Sequence, residues 1–196
     1  TPSVQISKTF PSHYLKKIVE LPLGSNFNYR PNNLSNDKII IVGGASLRKG
    51  IHLLDLIFQN KELTIVMTKS KFRSFLETKL KNNNISWLNT MKRSKLKKVY
   101  SQHGYLIMPS VEDGFGMVAL EALSLGLIVY VSKFAGVSDL FIKHNLQEFV
   151  FDPNLKLNLI DRSNFKNYTN NVSKLLKDAT WKNFTVKYKL LCQTEY

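Results

Sequence analysis

The chain has 196 residues, 28 Lys+Arg against 14 Asp+Glu, and a formal charge of +14. Hydrophobic residues make up 43% and aromatics 11%, which excludes a disordered or fibrous chain and fits a compact α/β domain with enough length to bury a core. No apolar run approaches the roughly 18 residues of a membrane span, and one cysteine, Cys192, excludes an intramolecular disulfide or a cysteine zinc cluster and points to a reducing, cytoplasmic compartment.

Residues 1–36 read as irregular: Pro2, Pro11, Pro22 and Pro31 punctuate them, and NYRPNNLSND is a polar linker. The opening TPSVQISKTFPSHY has no apolar centre of a signal peptide, and it starts on Thr1, as a processed chain or a piece of a larger one does. Strands are expected at 39–42, 63–67, 85–88, 105–108, 127–131 and 148–151, each a short apolar run. Helices are expected between them at 51–58, 71–80, 92–100 and 117–125, the last stopped by Gly126. Continuous rather than alternating apolar strands imply cover on both faces, so the expected architecture is a Rossmann-like, doubly wound parallel sheet. Ligands then sit beyond the carboxyl ends of the strands. Two helices, 164–177 and 181–191, close the chain, with a break at Asp178-Ala179-Thr180. Tyr168, Val172 and Leu175 share one face; Trp181, Phe184, Tyr188 and Leu191 share another. Such faces either seal the edge of the sheet or dock on a further domain.

Two segments can carry chemistry. In VGGASLRKG, Gly43 and Gly44 follow the first strand, so a phosphate or sugar can approach the backbone, with Arg48 and Lys49 supplying positive charge. A plain tight turn explains the glycines equally well. In PSVEDGFGMVALEA, a strand ends in Glu112 and Asp113, then Gly114-Phe115-Gly116, then an apolar helix from Met117 carrying Glu121. A carboxylate accepts paired hydrogen bonds from vicinal sugar hydroxyls, and amides at a helix start donate to phosphate or sugar oxygens. Glu112 or Asp113 can instead serve the helix terminus. Glu121 in an apolar helix needs a partner, either a hydroxyl-rich ligand or a nearby Lys49. His13, His52, His103 and His144 have no metal-ligand spacing, and no nucleophile elbow is present.

Taken together, VGGASLRKG, PSVEDGFGMVALEALSLG and VSKFAGVSDLF resemble the C-terminal nucleotide-sugar-binding domain of retaining GT-B glycosyltransferases, the family-four group. The resemblance runs from about residue 17 to 188 and implies one half of a GT-B fold. LPLGSN at 21–26 is similar to the segment crossing between the two domains. The resemblance makes 1–36 the linker and start of the second domain, 37–178 the donor domain and 179–196 a crossing helix. By the same resemblance, Arg48 and Lys49 lie at the donor diphosphate, Asp113 touches sugar hydroxyls and Glu121 holds the ribose. Leu88 and Asn89 border the base, and Gly136 lies in a glycine loop beside the donor. Departures are Gly44 where Arg is common, Asp113 where the first carboxylate is usually Glu, and Val137-Ser138-Asp139 where Val/Ile-Pro-Glu is usual.

The implied reaction is transfer of a hexose from a nucleotide diphosphate sugar to a hydroxyl, with retention and without a protein-bound metal or other cofactor. Its acceptor domain is expected outside this chain, as a partner. Rival readings are an epimerase or phosphorylase on the same fold and a degenerate, non-catalytic domain used for assembly or membrane association. Residues 61–100 carry eleven Lys/Arg and two Glu; the charge suits an anionic membrane surface if consecutive helices share one side, or is a solvated face. Nucleic acid is disfavoured, because aromatics are not interleaved with the basic residues.

Overall fold

The computed structural model describes residues 3, 7–8, 10–12, 18–19, 21–25, 37–80, 84–160 and 167–194. Strands β1 (Ile39–Val42), β2 (Glu62–Val66), β3 (Asn84–Leu88), β4 (Tyr105–Met108), β5 (Ile128–Ser132) and β6 (Val150–Phe151) form a 6-stranded sheet in the order β3-β2-β1-β4-β5-β6. Every pairing is parallel, with Ile41 opposite Ile65 and Leu106 opposite both Ile40 and Val129. The strand order reverses between β1 and β4, which opens a crevice there at the carboxyl edge.

Helices α1 (Leu54–Ile57), α2 (Lys71–Lys79), α3 (Arg93–Tyr100), α4 (Met117–Ser124), α5 (Ser138–Lys143), α6 (Tyr168–Asp178) and α7 (Trp181–Thr194) follow. The expected 51–58 helix begins as a 3-10 turn, Ile51–Leu53, and continues as the four-residue α1. Gly126 ends the α4 region at φ 81°, as a glycine stop should. The expected sixth strand shrinks to two residues behind a 3-10 turn, Gln147–Phe149. β1, β4 and β5 are covered on both faces, whereas β3 is an edge strand with alternate side chains exposed. Its apolar positions, Ile85, Trp87 and Leu88, still pack against the core.

Right-handed crossovers put α1 and α2 on one face of this sheet and α3 and α4 on the other. Contacts agree: α2 meets the Ile51–Leu53 turn, while Arg93 of α3 pairs with Glu121 of α4. The two basic helices therefore flank β3 from opposite sides and do not share one surface, because β3 is the edge at which the winding changes direction. Arg73 is removed from that surface altogether, at 7% exposure.

α6 seals the sheet. Tyr168 packs 4.7 Å from the Phe149 ring, and its hydroxyl donates to Leu127 O and accepts from Val129 N, completing the start of β5. The segment 152–160 turns back after β6, where Leu157 N donates to Ile57 O and Ile160 N to the Tyr130 hydroxyl. Burial pushes the Tyr130 phenol up to about 12. α7 behaves differently: Trp181 and Tyr188 are exposed, while Phe184 meets Trp181 edge-on and stacks on Tyr188. Residues 21–25 lace this end of the chain together. Ser25 N donates to Ala179 O, the Ser25 and Ser124 hydroxyls meet at 2.6 Å, and Gly24 lies against the Trp181 backbone where no Cβ fits. Residues 26–36, which hold all of the polar linker NYRPNNLSND except Asp37, lie outside the described residues, as do Lys81 and residues 164–166.

Candidate functional site

Three loops meet at the carboxyl edge of the sheet. The first, 43–50, leaves β1. It turns back through Gly50 at φ 67°, where a Cβ would run into the Pro109 carbonyl. That contact sets the loop against the second, 109–116, where the Arg48 carbonyl accepts from Val111 N at 2.9 Å and Glu112 N at 3.2 Å. The third, 133–137, completes the set: Asp113 N donates to Phe134 O, Gly136 N to Asp113 O and Val137 N to Phe115 O. These backbone bonds fix all three loops without calling on the charged side chains.

A cavity of about 120 Å³ opens between them, lined by Gly43, Gly44, Lys49, Met108, Ser110 and Asp113 among others. It lies at the β1/β4 crevice. Within it the Lys49 ammonium meets the Asp113 carboxylate at 2.5 Å, with 31% and 13% of their side-chain surfaces exposed. Gly44 faces open space: a Cβ there would meet nothing within 4 Å. Arg48 and Glu112 pair loosely at 3.4 Å on the exposed rim, a contact that contributes little in water.

Gly116 stands at the start of α4 with φ 100°, and a Cβ would press on Met108 at 2.8 Å and Val137 at 3.1 Å. The backbone amides of Phe115, Gly116 and Met117 have no acceptor among the described residues. Together with the helix dipole they present positive character to the crevice. The Phe115 side chain is itself buried and serves the core. Gly136 is buried and its amide is spent on Asp113, while a Cβ would strike the Gly114 carbonyl. Its place is explained by loop packing.

Glu121 departs from expectation. Its partner is Arg93, at 3.2 Å, and not Lys49, which is already held by Asp113 on the cavity wall. The carboxylate is nearly buried, at 8% side-chain exposure, whereas Arg93 is 58% exposed. The Tyr100 hydroxyl is also buried and unpaired among the described residues. Burial first, and Glu121 second, push its phenol far above the ordinary range, so it stays protonated.

Leu88 and Asn89 do not line the cavity; Leu88 is the last residue of β3 and Asn89 follows it. Here an unforeseen residue governs the geometry. The Arg73 guanidinium donates to Met67 O at 3.0 Å, Leu88 O at 3.2 Å and Asn89 Oδ1 at 2.9 Å, pairs with Glu77 at 2.7 Å and lies over Trp87. Its alternation with Lys71 and Lys79 hid it in a basic helix; the signal was its position on the apolar side, beside Phe72 and Leu76. His103 is structural, bonded to Val99 O and the Thr64 hydroxyl. Among the described residues no group of three or more His, Cys, Asp or Glu could hold a metal ion.

A family model, "Glycosyl transferases group 1", matches residues 26–178. The chain belongs to that family. An uncharacterised glycosyltransferase of Methanocaldococcus jannaschii is 28% identical over 117 residues, which cover 55% of this chain and 30% of that protein. Among solved structures, a glycosyltransferase from Rickettsia africae matches 99% of this chain and 62% of its own at TM-score 0.73 and 18% identity. Sucrose-phosphate synthase from Thermosynechococcus elongatus matches 99% of this chain and 57% of its own at TM-score 0.66 and 19% identity. A UDP-forming α,α-trehalose-phosphate synthase from Burkholderia vietnamiensis matches 81% and 44% at TM-score 0.65 and 12% identity. These likenesses show the fold, one half of a GT-B glycosyltransferase. The chain spans from about a third to about three fifths of the relatives' lengths. No described helix is long and apolar enough to cross a membrane.

Proposed function

We propose that this glycosyltransferase-family chain is the donor-binding half of a retaining enzyme of the family-four type. The complete enzyme would move a hexose from a nucleotide diphosphate sugar to an acceptor hydroxyl. One observation carries the reading: the crevice where the strand order reverses is lined by Gly44 open to a ligand, Gly43 against the Lys49 stem, a lysine and a carboxylate, beside three amides at a helix start that have no acceptor among the described residues. Those groups suit a diphosphate joined to a polyhydroxyl ring. Lys49, Arg48 and the α4 amides would receive the diphosphate. Asp113, released from Lys49, would accept from sugar hydroxyls, and Glu121 from the ribose.

In the transfer step, the bond between the anomeric carbon and the diphosphate oxygen breaks and its electron pair stays on the diphosphate. The acceptor oxygen forms the new bond and gives up its proton. Charge thus grows on the leaving diphosphate, where Lys49, Arg48 and the helix start lower the barrier. The acceptor and its base would come from a domain outside residues 37–178. The exposed Trp181 and Tyr188 on α7, held next to the 21–25 crossing segment, suit a helix that packs against such a domain.

Titration calorimetry with UDP, GDP and ADP tests the reading. At least one should bind, with little or no sugar transfer by the chain alone. A folded sample that gives no heat with any of them would support a degenerate assembly domain instead.

A further inference from the structure

We propose that Ser3 is a positioning residue of the crevice: by holding the Gly114 carbonyl, it turns the Phe115 amide toward the diphosphate. The inference rests on the donor-site reading and adds to that site a residue far from the donor motifs in sequence.

Ser3 belongs to the irregular opening of the sequence, yet it is only 4% exposed. Its hydroxyl donates to Gly114 O at 2.9 Å. From the other side, Ser7 N and the Ser7 hydroxyl both donate to Ser3 O at 3.1 Å, which fixes the serine in a turn. The turn has a matching seat. A Cβ at Gly136 would overlap the Ser3 hydroxyl and come within 2.6 Å of the Ser3 Cβ. Ser3 thus fills the space that a side chain at position 136 would take, and it touches two of the three loops of the crevice, 109–116 and 133–137.

The bond matters because of the peptide unit it holds. In a trans peptide the carbonyl and the following N–H point to opposite sides. With the Gly114 carbonyl on Ser3, the Phe115 N–H is directed away from Ser3. Among the described residues that N–H has no acceptor, and Ser3 is the one donor to the Gly114 carbonyl. Gly114 has no Cβ to resist rotation of this peptide. Without the serine hydroxyl the unit is free to turn, and a carbonyl oxygen would then face the diphosphate in place of an N–H. Donation to the carbonyl also polarises the same peptide and strengthens its N–H as a donor.

The test pairs calorimetry with amide hydrogen exchange on the 196-residue chain and its Ser3→Ala and Ser3→Thr variants. Ser3 lies outside the sheet and its apolar core, so both variants should stay folded. The probe is whichever of UDP, GDP and ADP the parent binds most tightly. Ser3→Ala should bind it about tenfold more weakly, the scale of one charge-assisted hydrogen bond. Ser3→Thr keeps the hydroxyl and should recover most of that loss. Without nucleotide, the Gly136 and Val137 amides, held by Asp113 O and Phe115 O, should exchange faster in Ser3→Ala. A serine with a structural role alone would alter exchange and the thermal midpoint but leave affinity at the parent's value. Parental affinity in Ser3→Ala, or an equal loss in Ser3→Thr, therefore overturns the inference and leaves the donor site standing. If the parent binds none of the three nucleotides, the donor reading fails and this inference with it.

Discussion

Gly44 and Gly50 sit six residues apart in one loop, yet the structure gives their methyl substitutions opposite consequences. At Gly44 a Cβ meets nothing within 4 Å, and φ is not positive. Gly44→Ala therefore costs the fold nothing and gains up to about 1 kcal/mol by restricting the unfolded chain. The methyl, however, projects into a crevice of about 120 Å³. A diphosphate pushed off this backbone loses at least one charge-assisted hydrogen bond, about 1.5–3 kcal/mol, or roughly ten- to a hundredfold in affinity. Gly50→Ala does the reverse. Its Cβ would overlap the Pro109 carbonyl at φ 67°, adding about 1–2 kcal/mol of left-handed strain to a backbone clash that must part the Arg48 carbonyl from Val111 and Glu112. The assay is urea denaturation paired with calorimetry against whichever of UDP, GDP and ADP the parent prefers. A Gly44→Ala protein that is as stable as the parent and binds the nucleotide equally well would refute the claim that the open face of Gly44 is where the ligand lies.

Further expectations concern the carboxylates, pH and a buried tyrosine. Glu121→Gln should weaken binding of the free nucleoside diphosphate about tenfold, while Asp113→Asn should weaken chiefly the nucleotide sugar; calorimetry with both ligands on both variants separates them, and parental affinities throughout would refute the assignment. Burial lowers the pKa of His103, with Lys38 adding to it and the Val99 carbonyl opposing, and burial also lowers His52 and His144 below 6.5. The unfolded chain then takes up protons that the folded chain refuses as pH falls through about 6.5, so stability should be full above that pH and decline below it; a thermal midpoint that is flat or rising from pH 7.5 to 5.5 would contradict this. Tyr168→Phe removes the acceptor for Val129 N in a buried place and should cost about 1–3 kcal/mol in urea denaturation, with nucleotide affinity unchanged.

What the sequence disclosed follows the length and contrast of each element. β1 and β4 are runs of apolar residues bounded by turn signals, and their ends emerge where read; Gly126 marks the end of the α4 region through one backbone angle. α5, at six residues, is too short for a helical period to show, and it hid behind the motif at 134–139 that drew attention for its chemistry. β6 is two residues long and owes its place to pairing with Val131 and Ser132, a long-range fact that no window contains. β3 looked covered because Ile85, Trp87 and Leu88 are apolar; its edge position is set by the order of winding. The glycines were legible as a group but not in their separate duties. Gly50 and Gly116 are needed for positive φ, Gly136 for close packing and Gly44 for open space, distinctions that reside in what lies opposite each one.

Charge was the least legible property, because a sequence counts lysines and arginines alike while the fold assigns them to different work. Of the positive residues in 61–100, Arg73 became an internal brace across the ends of β2 and β3, and Arg93 the counter-charge of a buried carboxylate. Both tasks suit a planar, donor-only fork better than an ammonium. The carboxylates proposed for hydroxyls are thus paired with cations, Asp113 with Lys49 and Glu121 with Arg93. Each pair neutralises itself in a place where an unpaired charge would be costly. A diphosphate alone could take Lys49 only by leaving Asp113 without a partner and setting two like charges side by side. A nucleotide sugar would bring phosphates for the cations and hydroxyls for the carboxylates in one molecule, exchanging both partners at once and leaving no charge exposed to the low-dielectric wall. The same pairing should therefore favour the complete donor over its parts.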